Sequence, residues 1–163
     1  MKKWFIGIVV VVCLVAGWQT HSIYKAAVND VQADEKKASA KAKEDFNLKS
    51  VTSTQAYFGD HTFYVVEGTN NKNEDVIAWV PKSQKQKAVL KKVADGITKE
   101  QAIEIVQRDR DPKEIKSVRL GIENEKPLWE VTYIDQEEKH LTYYYLDFTS
   151  GEFMKRYSLT KPE

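Results

Sequence analysis

The sequence has very few of the side chains on which metal and redox chemistry depend. Cys13 is the only cysteine, so the chain forms no internal disulfide and offers no thiolate nucleophile outside its N-terminal stretch. The three histidines, His21, His61 and His140, have no second ligand at metal-binding spacing. Nucleophile-elbow, zincin, P-loop and dinucleotide-binding motifs are all absent. These absences argue against an enzyme and predict neither a metal nor a cofactor.

An excess of charge of one sign is also lacking. The 25 basic and 24 acidic residues give a formal net charge of +1, and 30% of the residues are charged. Binding to nucleic acid requires a strongly basic surface, so this balance predicts no nucleic-acid partner. With 42% hydrophobic residues the composition is globular, and 163 residues suffice for one ordinary domain or two small ones. No small-molecule substrate is evident.

A long hydrophobic run occurs once, between Trp4 and Trp18, and its 15 residues carry no charge. This length lies between a signal-peptide core and a full span of about 20 residues. The flanking tryptophans and an uncharged continuation favour a retained span. No A-x-A cleavage pattern follows, and a lipoprotein signal would need a small residue before Cys13, where the chain has valine. Residues 1–24 are therefore predicted as a cytoplasmic tip and transmembrane anchor, with a cleaved signal peptide as the alternative.

The charges beside this run predict its orientation. Lys2 and Lys3 precede it, and few cations follow it closely. Positive residues are retained on the cytoplasmic side, so the rest of the chain is expected outside the cytoplasm. The sequence thus predicts a single-pass protein of the cell membrane, with Lys2, Lys3, Trp4 and Trp18 as the anchor flanks.

The next segment, residues 25–95, is interpreted as a stalk helix and a first small domain. Residues 24–46 contain no glycine or proline and are rich in alanine, lysine and glutamate, which favours a helix. The apolar stripe of this helix is thin, so only its later turns are expected to pack. The stretches VTSTQAYF, TFYVVEG and VIAWVP predict strands. A short helix ending at Gly96 is predicted after them, from the spacing of Val89, Leu90 and Val93.

The last segment, residues 96–163, repeats this organisation. Thr98 and Gln101 form a capping box for a helix that is predicted to reach Asp109. Four strands follow, in KSVRLGIE, LWEVTYID, HLTYYYLDF and EFMKRYSL. A shift of 65 residues aligns FYVVEGTNNKNEDVIAWV with LWEVTYIDQEEKHLTYYY without a gap, which predicts the same hairpin with the same loop length. Each unit is therefore predicted to be one helix on an antiparallel meander, an α+β fold.

The tyrosines of the second unit are the candidate functional residues. Alternation places Trp129 and Tyr133 on one face of their strand, and Tyr143 and Tyr145 opposite Tyr144 on theirs. One face must lie under the helix, and the other is more apolar than a solvated face requires. Packing within the core or between units is the favoured interpretation, and an exposed patch for a partner is the alternative. Tyr144 is predicted as core, and Tyr133, Tyr143 and Tyr145 as candidate partner-binding residues.

Three segments of the second unit, ITKEQAIEIV, LWEVTYID and YYYLDFTSGEFMKRY, resemble PepSY-type domains. In arrangement and length the whole chain is similar to the TseB-like (YpmB) family of Gram-positive bacteria, although Pro81 departs from the PepSY pattern in the first unit. The resemblance implies two cystatin-like domains outside the membrane and no catalytic residues. It also implies a role in cell-wall elongation through a class B penicillin-binding protein. Inhibition or chaperoning of a protease, which the resemblance to PepSY domains implies, is the alternative.

Overall fold

The computed structural model describes residues 30–161. The predicted anchor and its flanks, Lys2, Lys3, Trp4 and Trp18, lie outside the described residues. Within residues 30–161, no helix combines the length and the apolar character that crossing a membrane requires.

The first unit is a helix on a four-stranded antiparallel sheet. Its elements are α1 (residues 30–46), β1 (Leu48–Phe58), β2 (Thr62–Asn70), β3 (Asp75–Pro81) and β4 (Val89–Lys92), and the strand order is β1-β2-β3-β4. Ala38 and Ala42 of α1 are buried in one core cluster with Tyr64 and Val66 of β2. Small alanine side chains let the helix approach the sheet closely. The later turns of α1 therefore form the covering layer of the first sheet, as the thin apolar stripe predicts.

The helix predicted to end at Gly96 is wrong. Val89–Lys92 is a strand in which Leu90 pairs with Ala78 of β3, and only the turn Val93–Asp95 is helical, as a 3₁₀ helix. Val89 packs against the core that lies between the two sheets. Pairing with β3 satisfies the backbone of these residues and buries their apolar side chains, and it overrides a weak helical preference.

The second unit has the same layers. Its elements are α2 (Lys99–Arg110), β5 (Glu114–Glu123), β6 (Lys126–Ile134), β7 (His140–Asp147) and β8 (Phe153–Thr160), and the strand order is β5-β6-β7-β8. The predicted capping box is confirmed: Thr98 N donates to Gln101 Oε1 at 2.8 Å, and Gln101 N donates to Thr98 Oγ1 at 3.2 Å. The helix ends at Asp111, whose φ of 42° is left-handed, directly before Pro112. The α+β class is confirmed.

The internal repeat holds for one strand pair and fails by one residue for the next. Under the shift of 65 residues Val66 corresponds to Val131, and each lies in a core cluster with the helix of its own unit. Val66 pairs with Ala78, but Val131 pairs with Tyr144, so β3 and β7 are related by a shift of 66. The loop of residues 71–74 has four residues and that of residues 135–139 has five. The predicted equal loop length is therefore wrong.

The uncovered face of the first sheet packs against the second unit. The Trp79 ring meets Phe148 edge-on, with centroids 5.5 Å apart. The Tyr57 ring lies against Gly121 of β5 so closely that a Cβ on this glycine would be 2.5 Å from two ring carbons. Tyr57 and Trp79 are both essentially inaccessible to solvent. The first sheet thus fits around the outer strand β5 of the second sheet.

Candidate partner-binding surface

One face of the second sheet is covered by α2 and belongs to the core. Val131, Tyr133 and Tyr144 lie on it together with Val106 of the helix. The Trp129 indole, which is 8% exposed, donates from Nε1 to the Ile97 carbonyl at 3.0 Å. Tyr133 lies between β6 neighbours under α2, with 5% of its surface exposed.

The opposite face of this sheet, here called the open face, has no helix on it within residues 30–161, because α2 lies on the other side and α1 lies on the first sheet. Strand register arranges its side chains in three rows across β6, β7 and β8. The aliphatic row is Ile134, Leu141 and Leu159; the tyrosine row is Thr132, Tyr143 and Tyr157; the charged row is Glu130, Tyr145 and Lys155.

Exposure on the open face rises towards β8. Tyr145 is 8% exposed, Tyr143 is half-buried, and Tyr157 and Leu159 are each 55% exposed. The rings of Tyr145 and Tyr157 meet edge-on with centroids 6.0 Å apart. Large apolar groups that remain accessible beside ordered aromatic rings are typical of protein-binding surfaces. Of the three candidate tyrosines, Tyr143 and Tyr145 share the open face, whereas Tyr133 points into the core.

The sequence analysis did not include Tyr157 and Leu159 among the candidates. Both lie in the predicted strand EFMKRYSL, and alternation alone puts them on one face together with Lys155. Their exposure depends on β8 being an outer strand of the sheet, which no local pattern in the sequence encodes.

A buried ion pair closes the charged row towards the first unit. Glu130 is 2% exposed, and Arg119 Nη2 lies 2.6 Å from its Oε1. The Tyr57 hydroxyl of β1 donates to Glu130 Oε2 at 3.4 Å. Burial, reinforced by the neighbouring Glu130 charge, raises the pKa of Tyr57 and of Tyr145 well above the ordinary phenol value. Both phenols therefore stay protonated at neutral pH and can act as hydrogen-bond donors at the junction of the two units.

Lys155 spans the other end of the charged row. Its Nζ lies 4.9 Å from the ring centroids of both Tyr145 and Tyr157, within cation–π range, and forms an ion pair with Glu123 of β5. Burial lowers the pKa of Lys155, but hydrogen bonds to Glu123 and Tyr157 outweigh burial and the net shift is upward. The charges of this row are thus paired within the chain, which leaves the tyrosine and aliphatic rows for contacts with another molecule.

A cleft of about 330 Å³ opens between the two sheets. Its lining is mainly apolar, with Val65, Trp129 and Phe148, and includes the charged residues Glu67 and Lys99. The sequence could not predict it, because its walls come from units that are far apart in the chain. No group of three histidine, cysteine or acidic side chains within residues 30–161 is placed to hold a metal ion.

Comparisons with known proteins agree with this architecture. Residues 37–81 match the family described as "Cell wall elongation regulator TseB-like domain", and residues 96–157 match "Peptidase propeptide and YPEB domain". The chain is 34% identical over 134 residues to the "Probable cell wall elongation regulator TseB" of Bacillus subtilis (strain 168), which covers 82% of this chain and 83% of the relative. The solved structure "YpmB protein from Bacillus subtilis" superposes with a TM-score of 0.72 at 33% identity, over 77% of this chain and 96% of that one.

Proposed function

The chain belongs to the TseB-like family, and from this premise we propose that it is a non-enzymatic regulator of cell-wall elongation that binds a class B penicillin-binding protein through its open face. The observation that carries the proposal is the uncovered tyrosine and aliphatic rows on an otherwise well-packed sheet. A regulator of wall synthesis needs such a protein-binding surface and needs no catalytic group of its own.

The proposal includes membrane anchoring by residues 1–24. Lys2 and Lys3 hold the N-terminus in the cytoplasm, Trp4 and Trp18 lie at the two interfaces, and residues 30–161 are outside the cytoplasm. The charge-free run and the absence of a cleavage pattern support this arrangement. An anchor a short distance before α1 keeps the second sheet close to the membrane, where a membrane-bound penicillin-binding protein also lies. Intact-mass measurement of the membrane-extracted protein tests it, and a mature N-terminus near Trp18 would contradict it.

The chemistry of the tyrosine row suits an interface that forms and dissociates. A tyrosine ring buries a large apolar area with few rotatable bonds, and its hydroxyl can still form a hydrogen bond at the interface. Tyr157 offers the most exposed ring on the open face, and Leu159 lies beside it. We expect these two residues to contribute most of the binding energy, and the better-buried Tyr143 and Tyr145 to form the rigid base beneath the partner.

Affinity capture from membranes tests the partner. The tagged chain is crosslinked in cells, purified, and probed with an antibody against a class B penicillin-binding protein. Tyr157→Ser is compared with the matched control Phe58→Ser, because Phe58 is an aromatic residue of the first sheet that is 61% exposed. We expect recovery of the transpeptidase to fall at least about tenfold for Tyr157→Ser, a loss of roughly 1.4 kcal/mol, and to stay unchanged for Phe58→Ser.

The alternative function is inhibition or chaperoning of a protease. One observation favours it, namely that residues 96–157 match a family described by a peptidase propeptide. Titration of the purified chain against proteases of the cell surface discriminates the two. Stoichiometric inhibition together with no recovery of the transpeptidase would replace the proposed function with this one.

A further inference from the structure

Strand β8 is an outer strand that the fold leaves open. The described sheets have four outer strands, β1, β4, β5 and β8. Strand β1 carries two register shifts, β4 is only four residues long, and β5 has a register shift and lies against the first sheet. Proteins protect sheet edges by such devices, because unpaired backbone groups invite another strand. The single register shift of β8 lies near its start, and the rest of the strand has regular pairing with β7.

The hydrogen bonds to β7 determine which backbone groups of β8 point outward. Lys161 N donates to the Lys139 carbonyl at 2.8 Å, around the pair His140 and Thr160. In an antiparallel ladder this geometry marks a pair that exchanges no bonds itself, and the two kinds of pair alternate along the strand. Outward-pointing backbone N–H and C=O groups therefore belong to Arg156, Ser158 and Thr160.

The side chains along this edge specify what can pair with it. Residues 153–161 contain the cations Lys155, Arg156 and Lys161 and no acidic residue. Tyr157 and Leu159 extend the open face to the edge, and each is 55% exposed. Opposite charges on directly paired residues stabilise neighbouring strands, and like charges destabilise them. A second copy of β8 would bring basic residues against basic residues, so the edge favours an acidic partner strand over self-association.

We propose that β8 is a strand-addition site for an extended, acidic segment of a partner protein. An acidic side chain of this segment lies opposite Arg156, and apolar side chains lie opposite Tyr157 and Leu159, on the open face. Backbone hydrogen bonds to Ser158 and its outward neighbours supply affinity, and the alternating side chains supply specificity. The inference rests on the proposed function in that it gives the mode by which a partner is bound.

Two substitutions of one residue separate the backbone from the side chain. Ser158→Pro removes an outward N–H, and proline is tolerated on an edge strand where its nitrogen faces solvent. Ser158→Ala is the matched control, because it keeps the N–H and loses only the hydroxyl that bonds Thr142 Oγ1 at 2.9 Å. Arg156→Glu reverses the charge without touching the backbone, and Arg108→Glu on exposed α2 is its control.

The probe is a synthetic eight-residue peptide of alternating glutamate and valine, and the same peptide with lysine for glutamate is the negative control. We expect the acidic peptide to slow amide hydrogen exchange at Arg156, Ser158 and Thr160 by about tenfold or more, while amides that already bond β7 change little. Ser158→Pro and Arg156→Glu should abolish binding, and both controls should retain it. Equal binding by Ser158→Pro and Ser158→Ala, or protection elsewhere on the sheet, would overturn the inference.

Capture of the penicillin-binding protein separates this inference from the proposed function. If Ser158→Ala recovers the transpeptidase and Ser158→Pro does not, both stand. Equal recovery by the two variants overturns strand addition and leaves the proposed function intact. If the unmodified chain recovers no transpeptidase while the acidic peptide still protects the outward amides, the proposed function fails and the strand-addition site stands.

Discussion

Replacing Gly121 with alanine should drive the two units against each other. The new Cβ would lie 2.5 Å from two carbons of the Tyr57 ring, and under 3.0 Å something must shift. The ring cannot swing aside, because Tyr57 is 1% exposed and its hydroxyl bonds Glu130 at 3.4 Å. Overpacking a tight core contact costs about 1–3 kcal/mol. Alanine would otherwise favour a strand over glycine by roughly 0.5–1 kcal/mol, so the net loss should be about 1–2 kcal/mol.

A double-mutant cycle tests this cause rather than the loss alone. Tyr57→Ala removes the ring, and by itself should lower the free energy of unfolding by about 3–5 kcal/mol, as for other large buried aromatic residues. With the ring gone, Gly121→Ala meets open space and should cost nothing further. The two changes should therefore be non-additive by roughly 1–3 kcal/mol. Urea unfolding of the four proteins, followed by tryptophan fluorescence, gives the required free energies.

Additive effects in that cycle would refute the reasoning. If Gly121→Ala is as costly without the Tyr57 ring as with it, the loss comes from β5 itself and the close contact between the units is not its cause. Gly59→Ala is a control beside the same ring, because Gly59 lies in the β1–β2 turn, outside β5.

Three further predictions concern stability. Trp129→Ala should cost about 3–5 kcal/mol, and a change under about 1 kcal/mol would place the ring at the surface. Hydrogen bonds from Lys82 and Lys37 hold the pKa of Asp34 at about 2, below its usual 3.8, so this pair stabilises the fold above pH 3.8 and is lost as pH falls through 2. Asp34→Asn should therefore flatten the decline in the free energy of unfolding over that range, and an unchanged decline would contradict it. A fragment starting at Ser50 lacks α1 and should unfold at lower urea than one starting at residue 25, and equal midpoints would contradict the role of α1.

Local patterns predicted the elements whose signals lie within a few residues. The capping box of Thr98 and Gln101 and the strand that ends at Pro81 depend on neighbours in sequence, and both are present. The strand Val89–Lys92 was mistaken for a helix because its partner, β3, decides its structure and the apolar spacing fits either element.

The faces of the tyrosines needed information that a single strand does not contain. Alternation separates Tyr144 from Tyr143 and Tyr145 within β7, but it cannot tell which of them shares a face with Tyr133. The pairing of Val131 with Tyr144 decides this, and it follows from a loop one residue longer than the repeat predicts. A slip of one residue moves every side chain of a strand to the other face. Tyr143 and Tyr145 thus lie on the open face, and Tyr133 lies under α2.

The most direct test of the central claim is recovery of a class B penicillin-binding protein with the crosslinked, membrane-extracted chain, measured side by side for the unmodified protein, Tyr157→Ser and Phe58→Ser. The account predicts strong recovery with the unmodified protein and with Phe58→Ser, and at least about tenfold less with Tyr157→Ser at equal protein levels. Equal recovery with all three proteins would show that the partner binds elsewhere than the open face, and no recovery with any of them would contradict the proposed function itself.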